Sequence, residues 1–253
     1  MYKIDMHSPT EEFSQCWLAA ARHLQAQVQD GLSWLKFTLN PPFLEHLSFR
    51  LGNQLFFVRI EATNIEMDVP GSREGLVAVA TACNGHACIM PMTLERDGWV
   101  PAVPAWGLVS LGSDKSVDPF SLLTGDLIAM TDWELHDFAV QVVRDRLEDE
   151  GFSIASTCTN PQVDPAIWFE GAEGPEWVVV RAVRFPKTDA SVPSNMSAIA
   201  QSCSRHGAAG HFASVAVASA NERFSDEGAR NPVPLWRGHG MSVSFSGLQP
   251  IKF

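Results

Sequence analysis

The stretch GFSIASTCTNPQVDPAIWFEGAEGPEWVVVRA, Gly151 to Ala182, decides the reading of the fold, because the chain carries an earlier version of it, GLSWLKFTLNPPFLEHLSFRLGNQLFFVRI, Gly31 to Ile60. At an offset of 120, Gly31, Ser33, Asn40, Pro41 and Phe49 fall on Gly151, Ser153, Asn160, Pro161 and Phe169. A two-residue longer loop moves the offset to 122, where LFFVRI matches WVVVRA, with Val58 on Val180, Arg59 on Arg181 and, further on, Ser72 on Ser194. Short gaps then align Gly85 and His86 with Gly210 and His211, and VPAW, Val103 to Trp106, with VPLW, Val233 to Trp236. Features recurring in one order are the mark of a tandem repeat.

Local signals give each copy its elements. Ser8-Pro9-Thr10-Glu11 and Thr131-Asp132-Trp133-Glu134 both read as capping boxes, the first with proline at the opening helical position. In the second helix Leu135, Phe138, Ala139, Val142, Val143 and Leu147 recur at spacings of three and four, an apolar stripe that calls for a sheet to pack on. Gly31 and Gly151 follow as left-handed closers of the two helices. LSFRL-GN-QLFFVRI is a hairpin with a two-residue Gly-Asn turn, and the second copy makes the same hairpin across a longer loop at EGAEGPE. A short helix starting at Ser72 or Ser194, a strand (CIMPMTL or FASVAVAS) and a last strand after VPxW complete the module. The expected architecture is α+β: two copies of helix, three strands, helix, two strands, at 8–120 and 130–250, with antiparallel sheets, helices on one face and a pseudo-twofold relation. The joint is expected at SDKSVDPFSLLTGD.

Composition narrows the function classes. With 253 residues either copy can build a core without staples. The five cysteines, an odd number with no CxxC pair, suit reduced thiols, and no stretch looks like a leader or a membrane span, so a cytoplasmic protein is expected. A formal charge of −11 without any Lys/Arg run argues against nucleic acid as a partner. No dinucleotide, P-loop or nucleophile-elbow motif is present, and no cofactor is expected.

Few residues suggest chemistry. Cys83, His86 and Cys88 would reach one zinc ion if Asn84-Gly85 were a hairpin turn, but the second copy lacks the second thiol and no fourth ligand offers itself, so no metal is expected. Arg59 and Arg181, and Trp106 and Trp236, recur at matching places and are the candidate binding residues, with pairing and core packing as their simpler uses. His211 and His239 read as ordinary histidines.

Element order in an acidic module of this size resembles the type III secretion chaperones and the YbjN family. The resemblance implies a non-catalytic protein-binding module, an intramolecular pseudo-dimer that holds an extended segment of a partner protein. The order also resembles PD-(D/E)XK nucleases, for which Glu134, Asp164 and Arg181 would be the catalytic set, because Mg²⁺ takes carboxylate oxygens. In this sequence the carboxylate position two before Arg181 is Val179, and the first copy has Leu44 and Phe57 at the two acidic places. Convergence of Glu134, Asp164 and Arg181 in one cleft is what that alternative requires.

Overall fold

The computed structural model describes residues 9–29, 31–37, 39, 46–207, 209–222, 224 and 232–251. The chain forms two compact units that meet in sequence between Ile128 and Ala129. The Ser8 cap, the Asn40-Pro41 match and Leu44 lie outside the described residues.

In the N-terminal unit, α1 (Glu11–Ala26) starts from Thr10, whose hydroxyl accepts the Phe13 N–H at 3.2 Å; Pro9 therefore precedes the helix instead of opening it. Phe13, Cys16, Trp17, Ala20 and Leu24 bury one face of α1 completely. The strands are β1 (Ser33–Lys36), β2 (Leu47–Leu51) and β3 (Gln54–Ala62), then, after α2 (Arg73–Ala82), β4 (His86–Glu95), β5 (Gly98–Pro101), β6 (Leu108–Ser110) and β7 (Ser116–Val117). They lie in the order β1-β2-β3-β4-β6-β7, with β5 also on β4. Ser72 caps α2 as expected, its hydroxyl accepting the Gly75 N–H at 3.0 Å. The expected joint belongs to this unit: it supplies β7, and the Asn53 side chain donates to Thr124 Oγ1 and to the Asp126 carbonyl, both at 2.9 Å.

The C-terminal unit repeats the plan. Its α3 (Asp132–Asp149) has the full capping box at Thr131 and Glu134. The helix closes with Gly151 at φ +90°, its N–H bonded to the Glu148 carbonyl and that of Phe152 to the Leu147 carbonyl, a Schellman ending. There follow β8 (Ser153–Thr157), β9 (Ile167–Gly171), β10 (Gly174–Arg184), α4 (Met196–Cys203), β11 (Ala209–Ser219), β12 (Met241–Phe245) and β13 (Gln249–Pro250). The sheet runs β12-β11-β10-β9-β8, with β13 also on β11. The cap of α4 is Asn195, one residue beyond the expected Ser194.

Three details differ from the sequence-based expectation. Each sheet is mixed, because β3 and β4 pair in parallel, as do β10 and β11; the helix between them carries the chain back to the starting end, as a parallel pair requires. The helices flank both faces of the C-terminal sheet: Val178, Val180, Val215 and Val217 pack with α3, whereas Trp177, Val179 and Phe212 pack with Met196, Ile199 and Cys203 of α4. Alternate residues of one strand point to opposite faces, so the run WVVV feeds two cores. Finally, EGAEGPE is no longer loop. Gly171 pairs with Gly174 across the two-residue turn Ala172-Glu173, the same length as Gly52-Asn53. The extra two residues are absorbed as a slide of the ladder: Phe49 faces Phe56, whereas Phe169 faces Glu176.

Candidate functional site

The Gly-His pair that recurs in the two copies has a packing cause. Gly85 and Gly210 sit where the chain enters β4 and β11. A methyl group on Gly85 would stand 2.8 Å from the Phe57 ring, and one on Gly210 would overlap the Trp177 ring. Each glycine therefore lets an aromatic ring of the neighbouring strand lie against backbone. The histidine that follows points to the other face, where His86 stacks on Phe56 with ring centres 5.1 Å apart and His211 leans on Phe169 at 5.9 Å.

Each histidine meets a polar side chain of the adjacent strand. His86 Nε2 lies 3.0 Å from Gln54 Oε1, and His211 Nε2 lies 2.6 Å from Glu176 Oε2. Gln54 and Glu176 stand at the offset of 122 that also aligns the two arginines. Neither pair is marked by a short motif, and the repeat carries their one signal: a polar residue and a histidine that recur together. In the C-terminal unit the bond has structural support, because a side chain at Gly171 would collide with Glu176; the glycine gives the carboxylate its place.

Beside Glu176 and His211 lies a pocket of about 370 Å³. Its walls come from Val143 and Leu147 of α3, from Phe152 and Phe169, which meet edge to face at 5.1 Å, from Phe245 at the end of β12 and from Leu248 just before β13. Its volume falls at the small end of ligand sites. Arg146 and Glu150 also line it, ion-paired to each other at 2.6 Å. An ionised carboxylate only accepts, so His211 Nε2 carries the hydrogen that Glu176 receives. Nδ1 is buried and has no hydrogen-bond partner among the described residues.

The residues singled out from sequence are placed as follows. Arg181 makes a bidentate pair with Asp164, at 2.8 and 2.5 Å, and Arg59 donates to Glu61 at 3.0 Å and to the carbonyls of Pro70 and Val69 at 2.5 and 3.1 Å. Trp106 is buried against Phe49, and Trp236 is half-buried and tied by a backbone bridge to Ala129, leaving Leu235 to fill the core. Glu134, Asp164 and Arg181 do not converge. Glu134 sits at the start of α3, held by Arg237 at 2.7 and 2.8 Å. Arg181 follows Val179 by two and so points to the opposite face, the α4 side, where the charge of Asp164 joins burial in pushing the Cys203 thiol up to about 11. Cys83 closes α2 while Cys88 is fully buried within β4, its thiol pushed up to about 12 by burial. Among the described residues no group of three His, Cys, Asp or Glu side chains could hold a metal ion, and no helix is long and apolar enough to cross a membrane.

Residues 133–251, close to the whole C-terminal unit, match the family model described as Domain of unknown function (DUF8840). No curated protein and no solved structure matches the chain.

Proposed function

We propose that the chain is a non-catalytic cytoplasmic binding protein, adaptor- or chaperone-like, that holds an extended segment of a partner protein as an added strand. The observation that carries this reading is the edge strand β12, Met241–Phe245. Sheet edges in soluble proteins are normally blunted by charge, proline, bulges or brevity. Edges elsewhere among the described strands follow that rule: β1 contains Lys36 and a register break, β5 ends in Pro101, β7 has two residues, β8 has a register break, and β13 contains Pro250. β12 reads MSVSF, with no charge, no proline and an unbroken ladder to Val215–Ser219. In a chain of net charge −11 such an edge is conspicuous, and Val243 and Ser244 on it are exposed. A partner strand would be bound by main-chain hydrogen bonds, with the surrounding negative charge favouring a neutral or basic segment.

The test is gentle capture of the tagged protein from its host, followed by mass spectrometry and absorbance at 260 and 280 nm, run beside Ser244→Lys. One stoichiometric protein, no nucleic acid and at least a tenfold loss of that protein with Ser244→Lys is the expected outcome. A partner retained in full by Ser244→Lys, or nucleic acid recovered without protein, overturns the reading.

A further inference from the structure

We propose that in the free protein β12 is covered by the β12 of a second copy of this chain, the two strands antiparallel about a twofold axis at Val243, and that a partner segment must displace that copy. This rests on the reading of β12 as an open edge and adds what occupies it first.

The ladder fixes which groups are on offer. The Ala220 N–H donates to the Gly240 carbonyl, whereas the Val217 carbonyl turns the other way and accepts the N–H of Phe185, just beyond β10. Bonded and non-bonded pairs alternate along an antiparallel ladder, so Ser242 and Ser244 bond to β11 while the main-chain groups of Met241, Val243 and Phe245 point away from it. No described strand lies on that side. In the N-terminal unit the matching strand after VPxW is β6, and there β7 pairs with it through Leu108–Val117 and Val109–Ser116. The shared plan has a place for one more strand, which the N-terminal unit fills from its own chain.

The edge suits its own copy. Read in either direction, MSVSF is apolar, serine, valine, serine, apolar. Antiparallel pairing centred on Val243 sets Met241 opposite Phe245, Ser242 opposite Ser244 and Val243 opposite itself, and it uses every outward main-chain group of the strand. An unlike partner has no need of that symmetry; a twofold contact does. Met241 and Phe245 already pack with the core under α3, so Val243, 38% exposed, gains cover on that face. Residues 238–251 contain no Asp, Glu, Lys or Arg, and two chains of net charge −11 can meet here without like charges face to face.

Sedimentation of the purified full chain at concentrations up to about 200 μM is the test. The expected species has twice the 27.7 kDa of one chain. Val243→Lys and Val243→Glu each set like charges opposite one another and should weaken the dimer at least tenfold. Both change an exposed side chain, so the native unfolding midpoint should be kept. Because Val243 faces itself, mixing the two variants should restore the dimer. A monomeric native chain, a dimer unaffected by Val243→Lys, or a mixture that stays monomeric overturns the proposal. Partner captured by a monomeric native chain would sink the dimer and leave strand addition standing, whereas a dimer from which no partner is captured would do the reverse.

Discussion

The two units reach the same fold with different interiors. At the start of its first helix the N-terminal unit buries Phe13, three residues after its capping threonine; the C-terminal unit, three residues after Thr131, has Glu134, paired with Arg237. At the histidine the N-terminal unit offers an amide, Gln54, and the C-terminal unit a carboxylate, Glu176. Apolar filling tolerates partial loss, whereas a buried ion pair is stable only while complete. The C-terminal unit has thus concentrated charge in its interior where its counterpart has hydrocarbon or neutral amide.

The sharpest test is to break the ion pair. Arg237 is 1% exposed and Glu134 9%, so Arg237→Ala strands a carboxylate in a nearly dry place. The expected loss is about 3–5 kcal/mol in denaturant unfolding of the C-terminal unit. The more exposed Arg181–Asp164 pair, at 25% and 13%, should cost less when Arg181 becomes alanine. Equal losses would mean that burial does not govern the difference.

Next in size come the glycines. Gly210→Ala drives a methyl into the Trp177 ring, fixed between β10 and α4, and about 2–3 kcal/mol of destabilisation is expected. Gly85→Ala, with 2.8 Å to the edge of Phe57, should cost about 1–2 kcal/mol. Separate unfolding transitions of the two units, followed by tryptophan fluorescence, would rank them.

The smallest effect is an acid sensitivity confined to the N-terminal unit. Hydrogen bonds and charge from Arg73, and then from Arg59, hold the Glu61 carboxyl below the usual carboxylate range, against the opposing effect of burial. A depressed folded pKa means stability that is present above the ordinary carboxylate pKa of about 4.5 and lost as pH falls through the folded value. Unfolding curves below pH 5 should therefore weaken in the native chain and change less in Glu61→Gln. An identical acid profile in the variant would remove Glu61 from the account.

Much of this fold was legible because its signals are local. The Thr131 box, the stripe from Leu135 to Leu147, the Gly52-Asn53 turn and the Gly151 closure each involve residues close in sequence. Sheet order is a long-range property, and element order alone fitted an antiparallel arrangement as readily as the parallel β3–β4 and β10–β11 pairs. A clue to helices on both faces was present in WVVV, whose uninterrupted apolar run needs cover on each side. The Glu134–Arg237 pair spans 103 residues and follows no spacing rule. Glu176 and His211, 35 apart, could be found only by asking what else recurs at the offsets of the repeat.

The Gly-His pair bears finally on what the two units hold in common. A glycine beneath a large ring is imposed by packing and can arise twice independently, but nothing in that packing demands histidine as the next residue. His86 and His211 nonetheless both stand there, each reaching back to a polar residue of the preceding strand, so the pairing belongs to the plan the two units share and is not a by-product of the glycine. Gln54 and Glu176 are where the two units part, the same contact being kept by a neutral amide in one and by a carboxylate in the other.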